Sequence, residues 1–364
     1  MYALGDPMTM TRMAMIGVMV PIITIPMLAV WSDSVGRRKI LLVTLVSALL
    51  QTILLLFIHS FFVVGIIEIL FGASACGVAA VSCYCADLTT SKNRAQVFLL
   101  IHAAWAFGFM LGSTLGSHYD LVTNWQVYLG IVVALSNALL FYFFVPESLK
   151  EENRSPFSLA KSHTIFAIAK LFNSRATAIL TAVGFLAYLG VSAIGMIASN
   201  FMIYKNAAGP DYKMIAAAFA AGSSIAVLVS VIAALWIPAV GRSKVVVLSL
   251  AISAVGAMAY TFVPDQLFRI VVLLPVVATV AGAIIMASIV DRLAKDGYGV
   301  VIGGYTVFTL LIHIAGAQNN RLFSYLKEYK PGYLFLITLI PGLLFLSAIL
   351  IYTNIPKEET TELS

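Results

Sequence analysis

Long apolar runs separated by short polar stretches follow one another along almost the whole chain. A helix needs roughly 20 mostly apolar residues to cross the hydrocarbon core of a bilayer, and runs of this length recur throughout the sequence. The predicted spans cover residues 11–31, 40–59, 61–85, 96–117, 127–144, 177–204, 213–237, 245–263, 268–290, 299–318 and 333–353. The pattern therefore predicts an all-α integral membrane protein with eleven transmembrane helices.

The composition agrees with a membrane protein. Hydrophobic residues make up 61% of the chain and charged residues 10%, whereas soluble domains are about 45–50% apolar. The first apolar run continues directly into the charged stretch SDSVGRRK and has no small-residue cleavage site, so it is predicted to be a span and not a cleaved signal. The chain is expected to lie in the lipid bilayer.

Basic residues predict the orientation of the spans. Most of the 22 Lys and Arg residues fall on the same side as the loop at 34–39, and this side is cytoplasmic by the positive-inside rule. An odd number of spans then places the N-terminus outside and the C-terminus inside. The net charge of +6 reports this topology and predicts no nucleic-acid partner; the expected partners are lipid and a small-molecule solute, and the chain is expected to be monomeric.

Cysteine usage adds little chemistry. The three cysteines lie in the third predicted span, and an odd number within lipid predicts neither a disulfide framework nor a metal site. Clusters of His, Cys or Asp that would support an enzyme are absent from the sequence pattern, so no enzymatic activity is predicted.

One loop sequence occurs twice. WSDSVGRRKILLVTL at 31–45 recurs as WIPAVGRSKVVVLSL at 236–250. Both copies stand between two spans on the same predicted side, which favours a parallel duplication of the kind found in secondary transporters; the alternative is that short basic turns resemble each other by coincidence. The predicted domains are an N-terminal bundle of five helices (1–144), a cytoplasmic central loop (145–175), a C-terminal bundle of six helices (176–353) and a cytoplasmic tail (354–364).

Three stretches of the sequence resemble a known family. Asp33-x-x-Gly36-Arg37-Arg38 between two spans resembles the cytoplasmic loop signature of the major facilitator superfamily. ADLTTSKNRAQVF (86–98) resembles the loop after its fourth helix, and VPESLKE (145–151) the acidic segment that leaves its sixth. More narrowly, the same stretches are similar to the solute carrier group that contains the proton-coupled folate transporter.

The resemblance implies a function and a difference from the family. It implies secondary active transport of a small organic solute by alternating access, with protons as a coupling ion in symport, no other cofactor, and a folate-like substrate as its weakest implication. The signature loop follows the first span in this chain and the second in the family, so the resemblance also implies that the family's first helix is absent here.

The resemblance implies that six residues form a cytoplasmic gate: Asp33, Gly36, Arg37, Arg38, Asp87 and Arg94. It implies that Asp33 faces the N-terminus of the helix that begins near 297–299, where the helix dipole stabilises an anion. Arg37 is expected to pair with Asp87 through a charge-assisted fork. The alternative is ordinary positive-inside anchoring plus a turn, which explains Arg38 well and the two acids poorly.

Two titratable residues within the spans are candidates for proton coupling. Glu68 and His102 lie where a charge is costly, and the unperturbed pKa of histidine, about 6.5, allows it to change charge near neutral pH. The alternative for His102 is a neutral imidazole bonded to a neighbouring helix. Glu68 is either kept protonated by desolvation or placed in a wet cavity.

Glycines recur every four residues in the fourth span. Gly108, Gly112 and Gly116 give one helix face without side chains, which predicts close approach of a neighbouring helix.

Two questions of function stay open at this level. The alternative to a transporter is a non-transporting receptor or adaptor derived from one, and the membrane is either the plasma membrane or an endolysosomal membrane. The substrate-binding residues are not predicted.

Overall fold

The structure is a computed structural model, and it describes residues 7–57, 61–116, 125–205, 212–259, 274–293, 297–317 and 334–353. Its regular elements in these ranges are helices, so the predicted all-α class is confirmed. The helices are α1 Pro7–Val35, α2 Arg37–Leu54, α3 Phe61–Ala75, α4 Gly77–Leu88, α5 Ser91–Gly116, α6 Trp125–Phe144, α7 Leu159–Ser162, α8 Thr164–Lys170, α9 Arg175–Lys205, α10 Tyr212–Val240, α11 Arg242–Ala259, α12 Ala278–Leu293, α13 Tyr298–Ala317 and α14 Leu334–Thr353. Short 3-10 turns lie at Leu55–Phe57, Glu151–Asn153 and Leu274–Val277.

The long helices fall on the predicted apolar runs. Eight helices in the described ranges are long and apolar enough to cross a membrane, and α1, α13 and α14 contain shorter apolar segments at Met19–Val35, Tyr298–Ile312 and Ile340–Thr353. The third predicted span consists of α3 and α4, which meet at Cys76. The number of eleven spans stays a prediction, as do the positions of both termini, which lie outside the described residues.

The chain divides into two compact units that interleave along the sequence. The first contains residues 1–90, 119–171 and 292–308, and the second contains 91–118, 172–291 and 309–364. The predicted boundaries at 144 and 176 do not coincide with these units, and the two predicted bundles stay a prediction.

Close helix packing holds the first unit together. Helix α3 packs against both α1 and α2, and α2 packs against α6. Helix α13 meets α1 through glycines: a Cβ atom placed on Gly303 would lie 3.0 Å from the Ala29 Cβ. These small residues let the start of α13 approach the end of α1.

The second unit is organised around two helix pairings. Helices α5 and α10 run antiparallel. Gln96 Nε2 donates to the Ala234 carbonyl (2.9 Å), and His102, later in α5, lies beside Ser230, earlier in α10. Helix α14 packs against α9 and α11.

The duplicated loop has a glycine with a positive φ in both copies. Gly36, between α1 and α2, has a φ of 102°, and Gly241, between α10 and α11, has a φ of 87°. This left-handed conformation favours glycine, because a Cβ atom would clash with the neighbouring backbone. The repeated Val-Gly-Arg sequence therefore specifies the same tight turn twice, in agreement with an internal repeat.

Candidate functional site

Arg37 is the centre of a buried charge cluster in the first unit. It stands at the first position of α2, and its side chain is 2% exposed. Its Nη1 lies 2.6 Å from Asp33 Oδ1, and its Nε donates to Asp87 Oδ2 (2.9 Å). Nη1 also donates to the Ser32 hydroxyl (2.5 Å). One guanidinium thus holds carboxylates from the ends of α1 and α4, including the expected contact with Asp87.

Asp33 joins the end of α1 to the beginning of α13. The backbone N–H of Gly299 points at both carboxylate oxygens, at 3.2 and 3.3 Å, in the first turn of α13, where exposed N–H groups and the helix dipole favour an anion. Glycine is required here, because a Cβ atom would lie 2.2 Å from the Ala29 carbonyl oxygen and 2.5 Å from Asp33 Oδ2.

Glu147 completes the cluster and was not predicted from the sequence. Its Oε1 accepts the backbone N–H of Arg37 (2.8 Å) and its Oε2 that of Arg38 (3.2 Å), so this carboxylate caps the N-terminus of α2. A Cβ atom at Gly36 would lie 2.4 Å from Glu147 Oε2, which is a second reason for glycine at that turn. The signal available in the sequence was that Glu147 lies within VPESLKE, the segment that resembles a family motif.

Arg38 points away from these acids. Its Nη2 donates to the Tyr142 carbonyl (2.6 Å), and its guanidinium lies 5.5 Å from the centre of the Tyr142 ring. The structure thus places Arg38 at the end of α6, where it fits the anchoring alternative better than the acid cluster.

A second charge cluster lies in the second unit. Asp291, near the end of α12, accepts hydrogen bonds from Arg94 and from Arg242 Nη1 (2.7 Å). Arg242 also donates to the Ser91 carbonyl at the start of α5. Arg94 therefore belongs to this cluster and not to the one around Arg37.

Asp291 and Arg242 were missed as site residues, although the repeat pointed to them. Arg242 occupies the position of Arg37 in the second copy of the loop, and Asp291 ends its helix much as Asp87 ends α4. The second copy has Pro238 where the first has Asp33. The two copies therefore share the pair of a loop arginine with a helix-end aspartate but not the contact that Asp33 makes.

The two candidates for proton coupling lie in different units. His102 Nδ1 is 3.0 Å from the Ser230 hydroxyl of α10, and its ring stands 6.0 Å from that of Trp105. Glu68 on α3 is half-buried against Gly17 of α1, where a Cβ atom would meet the Glu68 carboxylate at 2.2 Å. His102 thus has a hydrogen-bonding partner, and the Glu68 carboxylate packs against a glycine of α1.

The glycine face of α5 shows no close contact where it is described. A Cβ atom placed on Gly108 or Gly112 meets no atom within 4 Å. The side-chain surroundings of Gly116 lie outside the described residues. The predicted packing role of these glycines therefore stays a prediction. Within the described ranges, no group of three or more His, Cys, Asp or Glu residues is placed to hold a metal ion.

Comparison with known proteins identifies the family. The model of the Major Facilitator Superfamily matches residues 1–317, and the chain belongs to this superfamily. It is a multi-pass membrane protein of a family of transporters and not an enzyme.

Two relatives that match most of the chain are resistance proteins by name. Over 356 residues, covering 93% of this chain and 84% of the relative, it is 23% identical to the class H tetracycline resistance protein of Pasteurella multocida. Over 320 residues, covering 85% of this chain and 78% of the relative, it is 28% identical to multidrug resistance protein 2 of Bacillus subtilis (strain 168).

Two crystal structures share the fold. That of the human organic anion transporter MFSD10 (TETRAN) matches with a TM-score of 0.75 and 18% identity, over 93% of this chain and 82% of that one. That of FucP in the outward conformation matches with a TM-score of 0.70 and 14% identity, over 93% and 89%. The narrower resemblance to the folate transporter group is not supported by these matches.

Proposed function

We propose that the protein is a secondary active transporter of a small organic solute, and that the Asp33–Arg37–Asp87 cluster is its cytoplasmic gate. The observation that carries the gate is the contact between Asp33 and the Gly299 N–H, together with the buried pairing of Arg37 with both acids. In the predicted bundles, α1 belongs to the N-terminal half and α13 to the C-terminal half. Separation of the two halves on this side would have to break the Asp33 contact.

Energetics make such a contact suitable for a gate. A carboxylate at a helix N-terminus is stabilised by about 0.3–2 kcal/mol, depending on burial, and a bias of this size shifts a two-state equilibrium without locking it. Arg37 is held by Asp87 and Ser32 as well as Asp33, so it retains partners when Asp33 leaves α13. The gate can therefore open at a modest cost in free energy.

Proton coupling is the second part of the proposal and rests on His102. A proton on the imidazole would make Nδ1 a donor toward the Ser230 hydroxyl across the α5–α10 pair. Protonation can drive transport only if its contacts differ between the two states of the transporter. The coupling ion is thus the proton, and no other cofactor is proposed.

The names of the relatives support a proposal for the substrate class. Tetracycline resistance and organic anion transport in their names favour an organic solute and do not point to a folate in particular. The non-transporting alternative is supported by one contact, the His102–Ser230 bond, because a satisfied histidine needs no transport role.

Transport by purified protein in liposomes tests the proposal. We expect uptake of tetracycline or fluorescein that depends on an imposed pH gradient and saturates with solute. The Asp33→Asn variant should lose most of this uptake. Gradient-independent leakage that is equal in empty liposomes would contradict the transporter and favour the receptor or adaptor.

A further inference from the structure

The central loop carries an apolar surface that faces away from the protein. Leu159 in α7 is 74% exposed and Ile165 in α8 is 72% exposed. With four neighbours they line a shallow groove of about 790 Å³: Leu159, Ala160, His163, Ile165, Phe166 and Ala169. Exposing such an apolar surface to water would be unfavourable for a loop, and patches of this kind mark contacts with a partner or a membrane.

The opposite side of α8 is packed against α1 and α13, within the first unit. Ala167 and Leu171 are fully buried, and Ala167 forms a core cluster with Val30 of α1 and Val300 of α13. A Cβ atom on Gly304 would meet the Ala167 carbonyl oxygen at 2.4 Å, so α8 lies directly against α13. The segment is therefore anchored on one side and apolar on both.

A hydrogen bond ties the start of α8 to α1. The Thr164 hydroxyl donates to the Ile22 carbonyl of α1 (2.7 Å). Within a regular helix this carbonyl would accept from residue 26, but Pro26 has no N–H. Ile22 belongs to the apolar segment Met19–Val35 and lies about 16 Å along the helix from Asp33, at 1.5 Å per residue. The start of α8 thus lies beside the apolar segment of α1, well away from the charged end of that helix.

Positive charge flanks the apolar surface. Lys161 is exposed in α7, and Lys170 ends α8 with its ammonium 5.7 Å from the centre of the Phe166 ring. Exposed apolar side chains next to an apolar helix segment, with lysines beside them, match an interfacial segment that takes anionic headgroups.

We propose that α7 and α8 form a lipid-binding segment, in which Leu159, Ile165 and Phe166 insert among acyl chains and Lys161 and Lys170 bind the headgroup of an anionic phospholipid. The occupant is the leaflet on the predicted cytoplasmic side. This inference rests on the membrane location of the chain and is independent of whether it transports a solute.

A nitroxide at residue 165 tests the apolar half of the proposal. The full chain carrying Ile165→Cys is labelled, reconstituted in phosphatidylcholine vesicles containing phosphatidylserine, and compared with Glu152→Cys, an exposed position of the same loop. The unsubstituted protein, labelled in parallel, corrects for the native cysteines. We expect collisions with oxygen to dominate at 165 and collisions with a water-soluble nickel chelate to dominate at 152. Nickel access at 165 equal to that at 152 would show an aqueous surface and overturn the proposal.

Two double variants with the same loss of charge test the headgroup half. Thermal unfolding is followed in nanodiscs of phosphatidylcholine with and without phosphatidylserine. We expect phosphatidylserine to raise the unfolding temperature of the parent by about 4 °C, Lys161→Gln/Lys170→Gln to lose most of this shift, and Lys92→Gln/Lys150→Gln to keep it. An equal loss in both variants would show a diffuse charge effect, and no shift in the parent would show that no anionic headgroup is bound; either result contradicts the assignment.

Discussion

The Asp33 carboxylate accepts the backbone N–H of Gly299, a residue 266 positions further along the chain. The contact links the end of α1 to the first turn of α13, and Arg37 holds the same carboxylate from the other side at 2.6 Å. Two positive local fields, from a helix N-terminus and from a guanidinium, thus meet at one buried acid. Changing the charge of Asp33 is therefore the most direct probe of the gate.

Asp33→Asn should lower uptake at least about fivefold, because loss of the charge weakens both the contact with α13 and the pair with Arg37. Surface abundance should stay near normal, since the flanking apolar spans are unchanged. The measurement is initial uptake of the solute identified in liposomes, normalised to protein at the cell surface. Glu152→Gln, an exposed acid in the central loop, is the control, and equal uptake by the two variants would remove Asp33 from the gate.

Gly299→Ala should destabilise the protein by about 1–3 kcal/mol, because the added methyl group overlaps the Ala29 carbonyl and the Asp33 carboxylate. Gly65→Ala is the matched control: a Cβ atom there meets nothing within 4 Å in helix α3, and alanine favours helix by up to about 1 kcal/mol over glycine. Thermal unfolding in detergent should separate the two variants. A Gly299→Ala protein as stable as Gly65→Ala would mean that α13 does not approach α1 this closely.

Asp291→Asn should cost about 3–5 kcal/mol, because it leaves the buried guanidiniums of Arg94 and Arg242 without their shared carboxylate. Combining it with Arg242→Gln removes one of these cations, so the double variant should be less damaged than the sum of the single ones. Denaturant unfolding of all three variants measures this coupling. Strict additivity would indicate that Asp291 and Arg242 do not interact in the folded protein.

His102→Ala should flatten the pH dependence of uptake more than it lowers the maximal rate, because the variant no longer binds the coupling proton. His102→Glu restores a titratable group and should keep a pH dependence with a displaced midpoint. Uptake is measured from about pH 5 to pH 8, the range in which histidine ordinarily titrates. An unchanged pH profile in the alanine variant would leave His102 as a packed residue bonded to Ser230 and would turn the search for the coupling group to Glu68.

Thr164→Val should destabilise the protein by about 1–3 kcal/mol, because the Ile22 carbonyl freed by Pro26 would lose its donor in an apolar environment. Thr52→Val is the control, since the Thr52 hydroxyl donates to the Ala48 carbonyl within its own helix (2.8 Å), and the variant should change stability by less than about 0.5 kcal/mol. Thermal unfolding in nanodiscs compares them. Equal effects would show that α8 is not tied to α1 by this bond.

The sequence by itself determined the all-α membrane class, the placement of the long helices and the duplicated turn. Partition into a bilayer depends on local composition, and a positive φ depends on glycine at one position, so neither needs knowledge of distant residues. The pairing of Arg37 with Asp87 was also predictable, because each residue lies in a stretch that resembles a family motif on the same predicted side of the membrane.

Only the tertiary structure decided which distant partners meet. Glu147 caps α2. Arg94 pairs with Asp291 and does not join the cluster around Arg37. Thr164 supplies the Ile22 carbonyl with the hydrogen-bond donor that Pro26 lacks. Each of these contacts depends on the relative height and rotation of helices far apart in sequence, and hydropathy does not encode either quantity. The glycine face at Gly108 and Gly112 shows the same limit: the spacing predicts a surface that another helix could approach, but the packing of the whole protein decides whether one does.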